Sequence, residues 1–469
     1  METIIKINSS VYSFVWGPVM LALLVGTGIY LSVRTGFPQF RKFGCIMRNT
    51  LGRIFRKSEA GKGEVTPFQA AATALASTVG TGNIVGVTGA IILGGPGAVF
   101  WMWISALFAM CTKFAEITLA VKYRERDSAG EFCGGPMYYI KNGLGRRWKW
   151  LAVVFSLLCA LSSFGVGNLA QINSISSSVN SMARAFVPSA AESEKIISLV
   201  TGFVVALLIA VIIMGGAKRI GQVAEKLVPF MAIVYIVCSV IVIFANAARI
   251  PSVLASIVLG AFNPRAFTGG AVGITVRAAM AKGVGRGVFS NEAGLGTAPI
   301  AHASTSEKDP VKQGMYGVFE VFMDTIVICT LTALVVLCSG AADGEYGNVA
   351  VAGVPTAVAG FASVFGTRFG SLVLAVGLLL FAGTTILGWA LYGSRSIEFV
   401  FGRKAVLPYQ IIFVLVIVLG SVSDLGLVWD IADTLNGLMS IPNLIAVLLL
   451  SPVAAKLING YFAAHGKKE

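Results

Sequence analysis

Ser77–Gly86 reads STVGTGNIVG and sits inside an otherwise apolar stretch. Glycine is the poorest ordinary helix former after proline, so Gly80, Gly82 and Gly86, with Thr81 and Asn83 between them, need a reason. A dinucleotide loop spells GxGxxG, but it follows a strand and is answered by an acidic residue about 20 positions on. Here the helix-forming run FQAAATALAS (residues 68–77) comes first, the third glycine is displaced to Gly86, and no acid stands where a ribose would need one. Close helix packing asks for small residues, and Gly86, Gly89 and Ala90 suit that. Packing does not ask for a threonine and an asparagine at the same depth. The stretch 66–93 has 28 residues, about 42 Å as an unbroken helix, and the glycines fall at its centre. They are expected to mark a helix that comes apart halfway across a membrane.

Composition supports a lipid setting. The chain of 469 residues is 56% hydrophobic and 12% charged, against about 25% charged in a soluble protein, and its mean hydropathy is +0.82. Apolar runs long enough to cross a hydrocarbon core of about 30 Å recur near 12–33, 66–93, 96–121, 150–178, 196–214, 227–247, 252–290 (interrupted), 314–338, 369–392, 406–422 and 427–457. These make about eleven spans. The first run lacks the basic leader and small-residue cleavage site of a signal peptide, so it is expected to remain as a span.

The net charge of +14 is placed by loop. Arg34, Arg41, Lys42, Arg48, Arg53, Arg56, Lys57 and Lys62 follow the first span, and Lys122, Arg124, Arg126, Lys141, Arg146, Arg147 and Lys149 the third. Lys218, Arg219 and Lys226 follow the fifth, and Arg395, Arg403 and Lys404 the ninth. Base on every second loop is the positive-inside pattern, not a nucleic-acid footprint. It sets the N-terminus outside and the C-terminus in the cytoplasm.

Other chemistries find little support. Cys45, Cys111, Cys133, Cys159, Cys238, Cys329 and Cys338 are scattered, without metal-ligand or disulfide spacing. No Walker motif occurs, so no ATPase activity or ATPase partner is expected. With His302 and His465 the only histidines, an intramembrane enzyme lacks its base or metal ligands, and nothing spells the filter of a cation channel. Apart from membrane lipid, the expected partner is a small solute.

Unwound backbone inside a bilayer is tolerated only where protein buries it or water reaches it. Freed carbonyls there can hold a cation, and the N-terminus of the next half-helix can hold a carboxylate. An inverted repeat requires a second break. It is expected at TGGAVG, Thr268–Gly273, with a half-helix from about Pro251 to Phe267 before it. Arg277, Lys282 and Arg286 would then descend toward the basic face. The alternative break, at KGVGRGV, would strand two cations in the membrane at a cost of kilocalories each. The fold class that follows is all-α and polytopic. One N-terminal helix and a basic loop (1–65) precede two five-helix repeats of opposite orientation (66–250 and 251–469), each opening on a discontinuous helix.

GTGNIVGV (80–87), GGPGAVFWMW (94–103), KFAEITLAVKYR (113–124), GGPMYYIKNGLG (134–145) and RGVFSNEAGLGTAPIAHAS (286–304) resemble the alanine or glycine:cation symporter family of bacteria and archaea. The likeness runs from about Trp16 to beyond Trp389. It implies the leucine-transporter-type fold of the amino acid–polyamine–organocation superfamily and a place in a prokaryotic plasma membrane. It also implies symport of a small neutral amino acid, alanine or glycine, with sodium (protons in some members). Sodium is then the only metal, and no cofactor is expected. Another small solute on the same fold is the alternative.

The resemblance and the residues together suggest a site. Thr81, Gly82 and Asn83 are expected to hold the carboxylate, and Gly269, Gly270, Ala271 and Val272 the ammonium and side chain. Gln171, at mid-depth, either touches substrate or bonds another helix. The cation falls to Thr78 and Gly80 at the break and to Thr384 and Thr385 of FAGTTILGW, unless those hydroxyls only bond their own helix. Asp324 is either a coupling group or a structural partner. Asn291 and Glu292 form an inner gate or anchor a turn, Lys113 and Glu116 read as a local pair, and Asp430 and Asp433 as charges near the outer entrance. Trp101, Trp103 and Trp389 read as packing or interfacial.

Overall fold

The computed structural model describes residues 2–53, 65–263, 274–423 and 426–465. Among them, nine helices are long and apolar enough to cross a membrane, and a tenth crossing is a bent pair, Pro67–Thr78 and Gly82–Gly94, meeting at 48°. A second interrupted pair of helices, Val276–Asn291 and Ala298–His302, follows the sixth of these. Ten of the spans read from hydropathy are therefore present, with the ninth contained in a longer element, Val354–Phe401, that bends at Gly366 (φ +72°); the seventh, 252–290, includes residues outside the described ones.

Burial sorts the spans. In Gly97–Lys122, 83% of the apolar window is buried, against 33% in Pro188–Ile213 and 28% in Arg403–Val422. Phe203, Leu207, Leu208, Leu415 and Leu419 on the latter two are exposed, as side chains facing lipid would be. The helices that bury polar groups therefore form the centre, and the uniformly apolar ones its rim.

The first broken span begins on a complete capping box. Thr66 accepts from the Gln69 backbone while the Gln69 side chain accepts from the Thr66 N–H, each at 3.1 Å, and Pro67 fills the first helical position. The two interrupted spans run antiparallel. Near the start of the first, the Pro67 carbonyl accepts from Gln313 and Val65 pairs with Thr305, just past the end of the second. At the other end, Gly94 packs on Lys282 and Ala279. Midway, Gly82 faces Phe289 and Ser290. The opposed arrangement expected of two repeats is present, with the interruptions touching at one depth.

A further interruption, which sequence reasoning did not single out, stands later in the chain. Thr268–Gly273, with Gly269, Gly270, Ala271 and Val272, lies outside the described residues. The interruption that meets the first break is Glu292–Thr297. Glu292 adopts the left-handed conformation (φ +56°), and Gly294 (φ +87°) and Gly296 (φ +83°) carry the turn. The segment before it, Ile250–Gly260, has only 11 residues, about 16 Å, and its end packs against Gly97. Arg277, Lys282 and Arg286 consequently sit at the end opposite the basic loops. The glycines of KGVGRGV are helical: a Cβ on Gly283 would collide with the Ala98 backbone, and one on Gly287 would lie 2.7 Å from Ser105 Oγ. They allow close packing. The feared cost of stranded cations does not arise, because Lys282 and Arg286 line a cavity of about 230 Å³, and Arg286 stands 4.0 Å from Asp433 and 5.2 Å from the Phe289 ring centre.

Candidate functional site

At the first break the ladder stops at Val79, which is extended (ψ 91°), and resumes as a wide helical turn over Gly82–Gly86. The freed donors are taken by side chains. Gly80 N–H donates to Asn83 Oδ1 at 2.9 Å and Thr81 N–H to Gln171 Oε1 at 3.2 Å. None of these glycines has positive φ. Gly80 is needed for proximity, since a Cβ there would run into Thr385 Oγ1 and lie 3.1 Å from Gln171 Oε1. Gly82 likewise leaves 3.3 Å between a built Cβ and both Phe289 Cδ1 and Ser290 Cα.

Thr385 reaches this break from Val354–Phe401. Its hydroxyl lies 3.1 Å from the Ala76 carbonyl, 3.4 Å from that of Val79 and 3.0 Å from that of Phe381. Oxygen atoms so gathered suit a small hard cation. Thr384 points away, toward Met231 Sδ and its own helix. The Thr78 hydroxyl bonds back to Ala74 and Leu75. Of the expected cation set, Thr385 is thus joined to neighbouring carbonyls, those of Ala76 and Val79.

Asp324 fastens the two breaks. Its carboxylate accepts from Asn83 Nδ2 at 2.6 Å, from Ser290 Oγ at 2.9 and 3.1 Å, and from Thr325 Oγ1 at 2.8 Å. Asn83 is therefore fully engaged: one end caps Gly80, the other holds Asp324. Asn291 bonds Thr325 and caps the Ala293 N–H.

The second break is held by groups that sequence reasoning did not link to it. Glu116 Oε1 accepts from Gly294 N–H at 3.1 Å and from Asn443, which also donates to Gly294 O and accepts from Tyr139. Lys113 and Glu116 do not pair. Lys113 binds Asn291 O at 2.9 Å and Glu320 at 3.1 Å, all with negligible exposure, and Glu320 meets His302 on its other oxygen. Glu292 anchors the turn by accepting from Thr297 Oγ1 at 2.5 Å and from Trp389 Nε1 at 3.1 Å. The clue available in the sequence was SNEAGLG itself, two spaced glycines after a polar triplet.

Between the breaks lies a cavity lined by Ser77, Thr78, Gly80, Gly82, Val166, Gln171, Phe289, Glu292, Thr385 and Trp389. Its volume is about 10 Å³, close to the minimum that holds one water. Phe289 separates it from the larger cavity of about 230 Å³ that Thr81, Gly82, Lys282 and Arg286 line. Toward the basic loops it is shut. Val65 pairs with Ser304 and Ser306 through the backbone, and Arg124 bonds the Ala303, Thr305 and Glu307 carbonyls.

The whole chain, residues 1–469, matches the sodium:alanine symporter family. The chain belongs to that family. The sodium/alanine symporter AgcS of Methanococcus maripaludis is 43% identical over 451 residues, covering 96% of this chain and 95% of the relative. The probable sodium/glutamine symporter GlnT of Bacillus subtilis is 40% identical over 449 residues, covering 95% and 88%. Among solved structures, that of MhsT in complex with L-phenylalanine superposes with a TM-score of 0.60 at 12% identity, covering 85% of this chain and 99% of that one. That likeness shows the leucine-transporter-type fold that the family resemblance implied. Membership in the sodium:alanine symporter family makes this chain a multi-pass secondary transporter working by alternating access, and not an enzyme.

Proposed function

We propose that the protein couples inward sodium movement to uptake of alanine or glycine. The observation that carries this is the first break. Freed carbonyls of Ala76 and Val79 converge there on Thr385 Oγ1, one turn from the restarting N–H groups at Thr81 and Gly82. The carboxylate is held by those N–H groups and the Gln171 amide, and Asn83 shapes the turn beneath them. The sodium ion is held by Thr385 with carbonyls around Thr78–Gly80, the nearest being Ala76 and Val79. Because one break serves both ligands, each stabilises the backbone geometry the other needs, and such reciprocal gains are typically about 1–3 kcal/mol.

The ammonium, assigned from sequence to Gly269, Gly270, Ala271 and Val272, has an alternative in the carbonyls that end Val276–Asn291, where the helix dipole is negative. Asp324 couples the two broken spans through Asn83 and Ser290, and Asn291 and Glu292 set the second turn. We assign the basic loops to the cytoplasm of a prokaryotic cell, the N-terminus to the outside, and the repeats to 66–250 and 251–469.

The test is uptake of radiolabelled alanine into proteoliposomes with and without an inward sodium gradient. Accumulation that requires the gradient and saturates is the expected result. Uptake indifferent to sodium, or none for alanine and glycine alike, overturns the proposal.

A further inference from the structure

The face toward the basic loops is closed by contacts of unequal kind. Val65 pairs with Ser304 and Ser306 through the backbone, and Arg124 bonds three carbonyls of the segment 303–307. Gln313, on Pro310–Val321, grips both broken spans with one side chain. Its Nε2 donates to the Pro67 carbonyl at 3.2 Å, where the first broken span begins. It also donates to His302 Nδ1 at 2.8 Å, where the second ends. Its Oε1 accepts from Thr305 Oγ1 at 3.0 Å. Gln313, His302 and Thr305 are all fully buried.

These bonds decide where the histidine carries its proton. A carboxamide offers two N–H donors on one side and a carbonyl on the other. Turned over, it would set its oxygen against the Pro67 carbonyl, so the nitrogen stays there and His302 Nδ1 accepts. The ring is then neutral, with its proton on Nε2, which donates to Glu320 Oε1 at 2.5 Å. The other oxygen of Glu320 lies 3.1 Å from Lys113 Nζ. Lys113 in turn donates at 2.9 Å to the carbonyl of Asn291, the last residue of Val276–Asn291. A relay of buried polar contacts thus runs from Pro67 at the face, through Gln313, His302, Glu320 and Lys113, to the edge of the second interruption. Drawing the broken spans apart at this face pulls Pro67 or His302 off Gln313. A buried polar group that loses its partner is destabilising, so the relay resists that opening.

We propose that Gln313 is the positioning residue that holds this face shut during transport, clasping the two broken spans together. Neutral His302 passes its grip through Glu320 and Lys113 to the second interruption. This rests on the amino-acid transport reading above and adds the residue that sets how readily the transporter opens toward its basic loops.

The test is the asymmetry of alanine transport between the two faces. Half-saturating alanine is measured in vesicles of each orientation at equal sodium on the side of entry, with trypsin cleavage in the basic loops identifying the faces. Apparent affinity from one face scales with the fraction of protein open to it, so the ratio of the two concentrations tracks the equilibrium between openings. Gln313→Ala is expected to lower the concentration needed at the basic-loop face relative to the other, shifting the ratio about tenfold. Thr305→Val removes one of the three bonds and should shift it the same way by about threefold. It decides the matter if Gln313→Ala does not fold. In a His465→Gln background, nitrogen-15 NMR of labelled histidine should show Nε2 of His302 protonated and Nδ1 bare, with Gln313→Ala moving the Nδ1 signal. Folded variants weakened equally from both faces overturn the clasp and leave Gln313 as packing. A ring protonated on Nδ1 overturns the relay. Wild-type protein that moves no alanine from either face under a sodium gradient would instead overturn the underlying function.

Discussion

The two interruptions do the same thing to a helix by opposite means. At Val79–Gly82 no residue takes a positive φ, and the loose N–H groups of Gly80 and Thr81 are met by neutral amides, Asn83 and Gln171. At Glu292–Thr297 three residues take positive φ, and carboxylates, Glu116 and Glu292, hold the turn. Amide contacts are cheap to exchange for a ligand, whereas a buried carboxylate bonded to backbone is not. The first break is thus built to trade partners and the second to stay fixed, which gives the proposed ligands a soft side and a hard side.

That contrast can be broken by substitution. Gly82→Leu should remove uptake altogether, a loss beyond 100-fold, while gel filtration shows folded protein. A side chain there meets Phe289 and Ser290, and normal uptake would mean the breaks do not bear on transport at Gly82. Glu116→Ala should act on the other side. It leaves the Gly294 N–H and the Asn443 amide without their acceptor, at about 1–3 kcal/mol for each buried group. The melting temperature in detergent should drop by several degrees while the alanine KM changes little. A changed KM with unchanged melting would reverse the roles assigned to the two breaks.

Finer tests follow. Gly294→Ala puts a side chain at φ +87°, costing about 1–2 kcal/mol, and should again lower the melting temperature without changing sodium dependence. Thr385→Val removes one hydroxyl, worth about 1 kcal/mol, or roughly a fivefold rise in the sodium needed for half-maximal uptake. Alanine affinity at saturating sodium should hold. If the sodium requirement is unaltered, Thr385 is not a ligand.

Much of this was legible before any coordinates. Hydropathy located the spans because a bilayer demands length and apolarity together, and STVGTGNIVG disclosed the first break because its polar residues have no packing role. The break expected at Thr268–Gly273 lies outside the described residues, and the one at Glu292–Thr297 was not foreseen. The cost argument rightly passed over KGVGRGV, which is helical, but for an incomplete reason. It assumed lipid around Lys282 and Arg286, whereas tertiary packing supplies a cavity, Asp433 and the Phe289 ring. Partners on distant spans were equally hidden: nothing in KFAEITL says that Lys113 turns to Glu320 and Glu116 to Gly294. Which face of a helix meets a cavity is a matter of rotation, so Trp389 could be counted but not aimed.

The antiparallel crossing of the broken spans has a mechanical consequence. Two rods fastened at their midpoints, here through Asp324 to Asn83 and Ser290, behave as a seesaw. Prising apart one rim then presses the opposite rim together, which ties the opening of one face to the closing of the other.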